Sequence, residues 1–273
     1  MGSDNHPQPE LVGAIAASTA FDIDIILIGD ETVLKPGLDA LEGDKTRIRI
    51  VHAPEALTMN DDIGQARKKK LNSMNIGMDL VKTGQAQAFV TAGNTGLAMY
   101  YGIRTFGLIK GVNRPCLCAN FPTKKGVCLV LDIGANVDCR PEFLLQFGQM
   151  GAVYSRLMNN IPQPQVGLIS NGEEEHKGSE LVKNAHSLMA KSIPGFIGNI
   201  EGKEIFGGNV DVAVTDGFTG NVFLKSVEAV AKLIVTTLKE ELMSSTRTKI
   251  GGLLAKPAFN KLRTMLDPNH TGA

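Results

Sequence analysis

Tryptophan is absent from this chain and aromatic residues make up only 5% of it. Stacking platforms for single-stranded nucleic acid are therefore not expected. An excess of charge of either sign is also missing. The 28 Lys and Arg balance the 28 Asp and Glu, so formal net charge is zero and no overall field draws in nucleic acid. No uninterrupted run of about 18 apolar residues occurs, so nothing is expected to span a membrane. Cysteine is scarce: Cys116, Cys118, Cys128 and Cys139. The only close pair is C-x-C with no histidine nearby to complete a zinc set. Three of the four lie in or beside apolar runs and read as packed, reduced thiols. Residues 1–10 are polar and proline-rich rather than a secretory leader, which makes a cytoplasmic location the expectation. G-x-S-x-G is absent, and so is the Walker G-x-x-x-x-G-K-[ST]. No strand–loop–helix turn carries G-x-G-x-x-G. These gaps argue against a serine hydrolase, a P-loop nucleotidase and an ordinary dinucleotide dehydrogenase. With no clustered carboxylate spacing, neither a metal nor a cofactor is expected.

What the chain does contain is strand-like runs alternating with helical patterns. Its 273 residues, 43% apolar and 21% charged, suit a soluble globular protein with a large core. Residues 23–28 and 47–51 read as strands, 62–83 as a helix, 97–106 as a helix, and 142–157 as a helix begun after Pro141. The basic stretch Arg67-Lys68-Lys69-Lys70 reads as a solvated face. The longest helix is expected from Val222 to about Met243. Sustained alternation predicts an α/β fold with a mostly parallel sheet and helices on both faces, in a single unit over residues 1–273.

Four apolar runs (88–91, 127–131, 166–170 and 210–215) each stop in a short loop rich in Gly, Asn and Asp. The loops are residues 92–96 (Ala-Gly-Asn-Thr-Gly), 132–136 (Asp-Ile-Gly-Ala-Asn), 171–178 (Asn-Gly-Glu-Glu-Glu-His-Lys-Gly) and 216–221 (Asp-Gly-Phe-Thr-Gly-Asn). Ligands of open α/β sheets bind where the carboxyl ends of parallel strands gather. Glycine lets backbone N–H groups approach an anion, and a following helix N-terminus carries partial positive charge. Four such loops suggest one composite site. Its candidate phosphate- or substrate-binding positions are Gly93, Asn94, Thr95, Gly134, Asn136, Asn171, Asp216, Thr219 and Gly220.

Lys177 follows three glutamates. It reads either as a solvated lysine in a helix N-terminal turn, with Glu173, Glu174 and Glu175 complementing the dipole, or as a cation held for an anion or developing oxyanion. Asp132 and Asp216 read as acceptors for loop amides. Asn94, Asn136 and Asn221 follow or flank glycines in tight loops, where asparagine tolerates unusual backbone. Residues 244–266 carry Arg247, Lys249, Lys256, Lys261 and Arg263 and no acidic residue. Two short helices broken near Pro257 are expected there. They form either a projecting cationic amphipathic segment for an anionic surface or carrier, or an ordinary surface pair.

Taken together, residues 1–7, the four loops, residues 198–202 (Gly-Asn-Ile-Glu-Gly), the Leu-Leu-Ala-Lys-Pro-Ala run at 253–258 and Leu266-Asp267-Pro268 resemble the signature segments of the PlsX family. These are the acyl-acyl-carrier-protein:phosphate acyltransferases of bacterial phospholipid synthesis. The resemblance covers nearly the whole chain, in order. It implies a three-layer α/β/α fold like that of isocitrate and isopropylmalate dehydrogenases and phosphate acetyltransferase. It implies formation of acyl phosphate from acyl-carrier protein and inorganic phosphate, with Lys177 as the key lysine and Asn221 as its partner. It further implies a homodimer, peripheral membrane association and a glycerol-3-phosphate acyltransferase downstream. Family sequences begin with a strand that would precede Met1 and run on beyond Gly272-Ala273, so truncation at both ends is expected. Rival readings are a coenzyme A-dependent phosphotransacetylase on the same fold, a decarboxylating dehydrogenase, and a non-catalytic scaffold binding carrier protein or membrane.

Overall fold

The computed structural model describes residues 2, 3 and 5–266, with side chains described as far as Lys261. Met1, Asp4 and residues 267–273, which carry the outer ends of the resemblance, lie outside the described residues. The chain divides into two compact units, Met1–Lys110 and Gly111–Ala273, which corrects the expectation of one α/β unit. The division falls within residues 107–115, where no helix or strand runs and Gly107 and Gly111 sit at positive φ.

The first unit contains α1 (Gln8–Phe21), β1 (Ile25–Gly29), α2 (Glu31–Asp39), β2 (Ile48–His52), α3 (Ile63–Lys68), α4 (Ser73–Lys82) and α5 (Thr95–Phe106). β1 and β2 pair in parallel, Ile25 opposite Ile48. Leu11, Leu27, Leu34 and Leu38 pack beside them. The helix expected over residues 62–83 is two helices. Asn72 leaves the helical path, accepts the Asn75 N–H to cap α4, and donates to the Lys69 carbonyl and the Tyr101 hydroxyl. Lys69, expected on a solvated face, is tied to Asp61 at 2.8 Å and to the Ala56 carbonyl. Residues 88–91, expected as a strand, belong to no strand, and Val90 is 91% exposed. Without a partner edge, a short β-branched run has nothing to pair with.

The second unit contains β3 (Cys118–Thr123), β4 (Gly126–Leu131), α6 (Pro141–Met158), β5 (Val166–Ile169), α7 (Glu180–Ser192), β6 (Phe196–Ile200), α8 (Gly202–Gly207), β7 (Val212–Val214), α9 (Gly217–Met243) and α10 (Thr246–Leu266). Its sheet runs in the order β3-β4-β7-β5-β6. β3 is antiparallel to β4, and the other neighbours are parallel. Strands buried on both faces read as continuous apolar runs, and their residues divide by parity. Leu129, Leu131, Val212 and Val214 face Leu144, Phe147 and Met189 of α6 and α7. Cys128, Val130 and Ala213 face Ile205 of α8 and Phe223 of α9. Helices therefore cover both faces of a mostly parallel sheet, the three-layer arrangement expected.

α9 begins at Gly217, five residues before the expected start, because Asp216 caps it. Beyond Val227 much of its apolar surface is exposed, including Val230, Leu233 and Ile234. α10 lies along it, with Gly252 against Leu242. Pro257 sits inside α10 and does not break it, which corrects the expected pair of short helices. One missing N–H and a ring clash weaken a helix, yet α10 runs on through that point. Among the described residues no helix is long and apolar enough to cross a membrane.

The sheet and α6 approach each other closely at Gly151. A Cβ there would lie 2.6 Å from Val212 Cγ1 and 2.9 Å from Leu131 Cδ2. Overpacking of this kind costs about 1–3 kcal/mol, against a gain of roughly 1 kcal/mol at most in helix propensity. Gly151→Leu should therefore lower the urea midpoint of unfolding. An unchanged or raised midpoint would show that the close approach does not hold in solution.

Candidate active site

Because β4, β7 and β5 are parallel neighbours, their carboxyl ends lie side by side on one edge of the sheet. The loops at residues 132–136, 216–221 and 171–178 leave from that edge in the same order. The fourth expected loop, residues 92–96, belongs to the first unit.

Asp132 organises the β4 end. Its side chain is fully buried, and a buried carboxylate needs its lone pairs met. Oδ1 accepts the N–H groups of Leu117, Gly134 and Ala135 at 3.0–3.2 Å. Oδ2 accepts Asn136 N at 2.7 Å and Asn136 Nδ2 at 2.8 Å. Asn136 Nδ2 also donates to the Pro115 carbonyl, so both amide hydrogens of this candidate residue serve the loop itself. Gly134, at φ +145°, makes the turn.

The start of α9 is fitted to this loop by backbone contact. Gly217 N–H donates to the Asn136 carbonyl at 2.8 Å. A Cβ at Gly217 would come within 2.7–2.9 Å of the Asn136 backbone, and one at Gly220 would overlap the Asp132 carbonyl oxygen. Asp216 accepts the Thr219 N–H and hydroxyl at 2.9 and 2.7 Å. Both residues, candidates for substrate contact, are thereby engaged in capping. Asn221, one residue on, is exposed. Its side chain stands beside Gly134, whose Cβ position is 3.7 Å from Asn221 Oδ1. Its amide has no hydrogen-bond partner among the described residues. The helix terminus behind it favours negative charge.

The third loop departs from the reading that puts its glutamates in a helix N-terminal turn. α7 starts at Glu180, capped by Ser179, so residues 173–175 are not its first turn. Glu173 pairs with Lys203 at 2.7 Å, while Glu175 lies 3.7 Å from His186. Lys203 also reaches Glu201 at 3.0 Å and Glu204 at 3.9 Å. The carboxylates of Glu173, Glu201 and Glu204, whose ligand atoms lie within 4.8 Å of one another, thus already hold an ammonium. The Lys203 hydrogen bond holds the Glu173 carboxyl below its ordinary range, and the carboxylates push Lys203 up. Lys177 is left half-buried, its stem 3.1 Å from the Cβ position of Gly172. It has no carboxylate within salt-bridge reach among the described residues. Asn171, at the start of the loop, is exposed, and Ser170 Oγ donates to it at 3.4 Å.

In the first unit, Asn94 caps α5 by accepting the Leu97 N–H and donates to the Met59 and Asp61 carbonyls. Its side chain is committed to the loop, while Thr95 is exposed and Gly93 half-buried.

The thiols are poor nucleophiles. Burial pushes Cys128 up to about 12 and Cys139 up to about 11, and raises Cys116 and Cys118 as well. At neutral pH all four are protonated, and the thiolate is the reactive form. Asn199 and Lys203, both of which hold the 171–178 loop, were not singled out by sequence reasoning, although residues 198–202 were part of the resemblance.

The family described as "Fatty acid synthesis protein" matches residues 1–273. The chain belongs to this family. A phosphate acyltransferase of Clostridioides difficile (strain 630) is 40% identical over 274 residues, covering 100% of this chain and 81% of that protein. A phosphate acyltransferase of Pelotomaculum thermopropionicum is 44% identical over 268 residues, covering 98% and 78%. This member of the family is accordingly an acyltransferase. Among solved structures, a phosphotransacetylase from Streptococcus pyogenes superimposes with a TM-score of 0.65 at 14% identity, covering 83% of this chain and 80% of that one. The EutD phosphotransacetylase from Staphylococcus aureus gives 0.59 at 16%, covering 81% and 78%. At such identities the likeness speaks to fold alone, and it agrees with the expected phosphate acetyltransferase-like class.

Proposed function

We propose that this enzyme passes the acyl group of an acyl-carrier-protein thioester to inorganic phosphate, releasing acyl phosphate and the free carrier thiol. The observation that carries this reading is the pair Lys177 and Asn221. Lys177 lies in the loop after β5 and Asn221 in the first turns of α9 after the neighbouring β7, and neither side chain is spent on a protein partner among the described residues. Hydrogen phosphate is itself a competent nucleophile. One of its oxygens attacks the thioester carbonyl, a tetrahedral oxyanion forms and collapses, the C–S bond breaks, and the phosphate proton ends on the departing thiolate. The enzyme has to hold phosphate in line and to supply donors to the oxyanion. The Lys177 ammonium supplies charge, and the Asn221 amide supplies a donor. Asn171 and Gly134 are exposed toward the substrate, while Gly220 serves the site by letting the first turn of α9 pack on Asp132. Asn136, Asp216 and Thr219 shape these loops. Gly93, Asn94 and Thr95 of the first unit remain candidates for substrate contact, with Asn94 the weakest because its amide is occupied.

Acyl phosphate is a reactive mixed anhydride, so its consumer has to be an acyltransferase acting on an alcohol, for which glycerol 3-phosphate is the family's acceptor. The exposed apolar residues along α9 support assembly as a homodimer. The basic, apolar α10 supports a cytoplasmic enzyme in peripheral contact with an anionic membrane. There Leu253 and Leu254 are 70% and 77% exposed.

Lys177→Ala should lower acyl phosphate formation from acyl-carrier protein, measured by hydroxamate trapping, by about 10²–10³-fold, the usual cost of losing an oxyanion donor. Asn221→Ala should act in the same direction, more mildly. Undiminished turnover in a folded Lys177→Ala protein would refute the assignment. Equal or faster turnover with acyl-coenzyme A would favour the phosphotransacetylase reading.

Replacing Leu253 and Leu254 together by Glu should release the protein from anionic vesicles in a co-sedimentation assay and leave acyl transfer to phosphate intact. Vesicle binding that survives both this change and high salt, which screens exposed charges beyond about 10 Å at 0.1 M, would show α10 to be an ordinary surface helix.

A further inference from the structure

Asn199 lies near the end of β6, outside the three loops of the candidate site, and is 5% exposed. Its Nδ2 donates to the Glu174 carbonyl at 2.9 Å, across 25 residues of sequence. The same carbonyl oxygen accepts the Lys177 N–H at 2.9 Å. One of its hydrogen bonds therefore closes the turn that presents Lys177, and the other fixes that turn to the sheet.

The strand is built to aim Asn199 there. Between β5 and β6 the register shifts, with Val166 opposite Phe196 but Gly167 opposite Gly198. Ile197 is the extra residue of a bulge. Phe196 packs with the α6 and α7 side of the sheet, whereas Ile200, four residues later, packs on the opposite side. Strict alternation would have put both on one face. A one-residue shift reverses parity, and bulges re-aim side chains beside functional sites. The reversal sends Asn199 to the face that Phe196 shares, opposite Ile200.

Asn199 Oδ1 is buried without a hydrogen-bond partner. An apolar residue of similar size would remove that unmet acceptor, whose burial is costly. It would also release the Glu174 carbonyl. The amide is thus explained by what its N–H grips rather than by packing. A second and weaker hold comes from Lys203, which draws Glu173 toward α8.

We propose that Asn199 is a positioning residue that fixes the Lys177 turn to the end of β6. This rests on the reading of Lys177 as the cation of the reaction centre. Small displacements of a catalytic group cost up to about 10²-fold in rate. Loss of the tether should therefore lower turnover through Lys177 alone.

The test is a double-substitution cycle on the full chain, with acyl-carrier protein and inorganic phosphate as substrates and thermal melting measured alongside. Asn199→Ala should lower kcat/KM for phosphate about 10- to 100-fold in the Lys177 background, and less than about 2-fold further once Lys177 is Ala, because sites acting as one unit are not additive. Asn199→Asp gives an independent arm. Its carboxylate cannot donate to a carbonyl, but its protonated form can. Burial without a cation raises that carboxyl's pKa, so activity relative to wild type should climb as pH falls through it and be lost above it. Equal losses from Asn199→Ala in both Lys177 backgrounds would overturn the inference, as would no loss in either. If Lys177→Ala itself turns over like wild type, the Lys177 reading fails and takes this inference with it. A crippled Lys177→Ala beside an unaffected Asn199→Ala and a pH-insensitive Asn199→Asp defeats the inference alone.

Discussion

The buried carboxyl of Asp132 is the point to which the arrangement of the site can be traced. Set at the end of β4, beside the central strand β7, it draws in N–H groups from Leu117 before the strand pair and from Gly134, Ala135 and Asn136 after it. Five donor contacts on two oxygens leave the loop little freedom. The Asn136 carbonyl is turned toward Gly217, and the first turn of α9 is laid against the loop at Gly217 and Gly220 with no room for a side chain. Asn221 is presented as a result. A substitution at Asp132 would act on all of these at once, because a half-satisfied buried network is worse than none.

The second consequence concerns charge. Three glutamates precede Lys177 in sequence, and a lysine so placed would ordinarily be neutralised. Lys203 takes Glu173, and Glu175 lies toward His186. Lys177 has no carboxylate within salt-bridge reach among the described residues. The Glu173–Lys203 contact is present above the ordinary glutamate range and is lost as pH falls through the lowered Glu173 value. On the alkaline side it persists past the ordinary lysine value, because Lys203 is raised. Near neutral pH the Glu173–Lys203 contact is therefore intact.

Much of this edge was legible in the sequence. The runs at 127–131, 166–170 and 210–215 do hold strands, the last only over Val212–Val214, and the loops after them do share one sheet edge. Asp132 and Asp216 do accept loop amides, as their positions after apolar runs implied. What escaped reading depended on pairing that no local pattern encodes. Residues 88–91 have the composition of a strand but no partner. Asn72 splits a helix because Tyr101, 29 residues away, offers it a hydroxyl. Pro257 stays within α10, and the division into two units at residues 110 and 111 has only glycines to announce it. Asn199 reaches Glu174 through a bulge, and a register shift leaves no mark on hydrophobic periodicity.

In the proposed reaction phosphate attacks the thioester directly, and burial holds the four cysteines of the second unit as protonated thiols. An acyl-enzyme would let the carrier leave before phosphate acts. The direct measurement is exchange of labelled free carrier protein into acyl-carrier protein with phosphate omitted, followed on the time scale of turnover. Direct attack predicts no exchange until phosphate is added. Exchange at the rate of turnover in its absence would contradict it and require a covalent acyl intermediate on the chain.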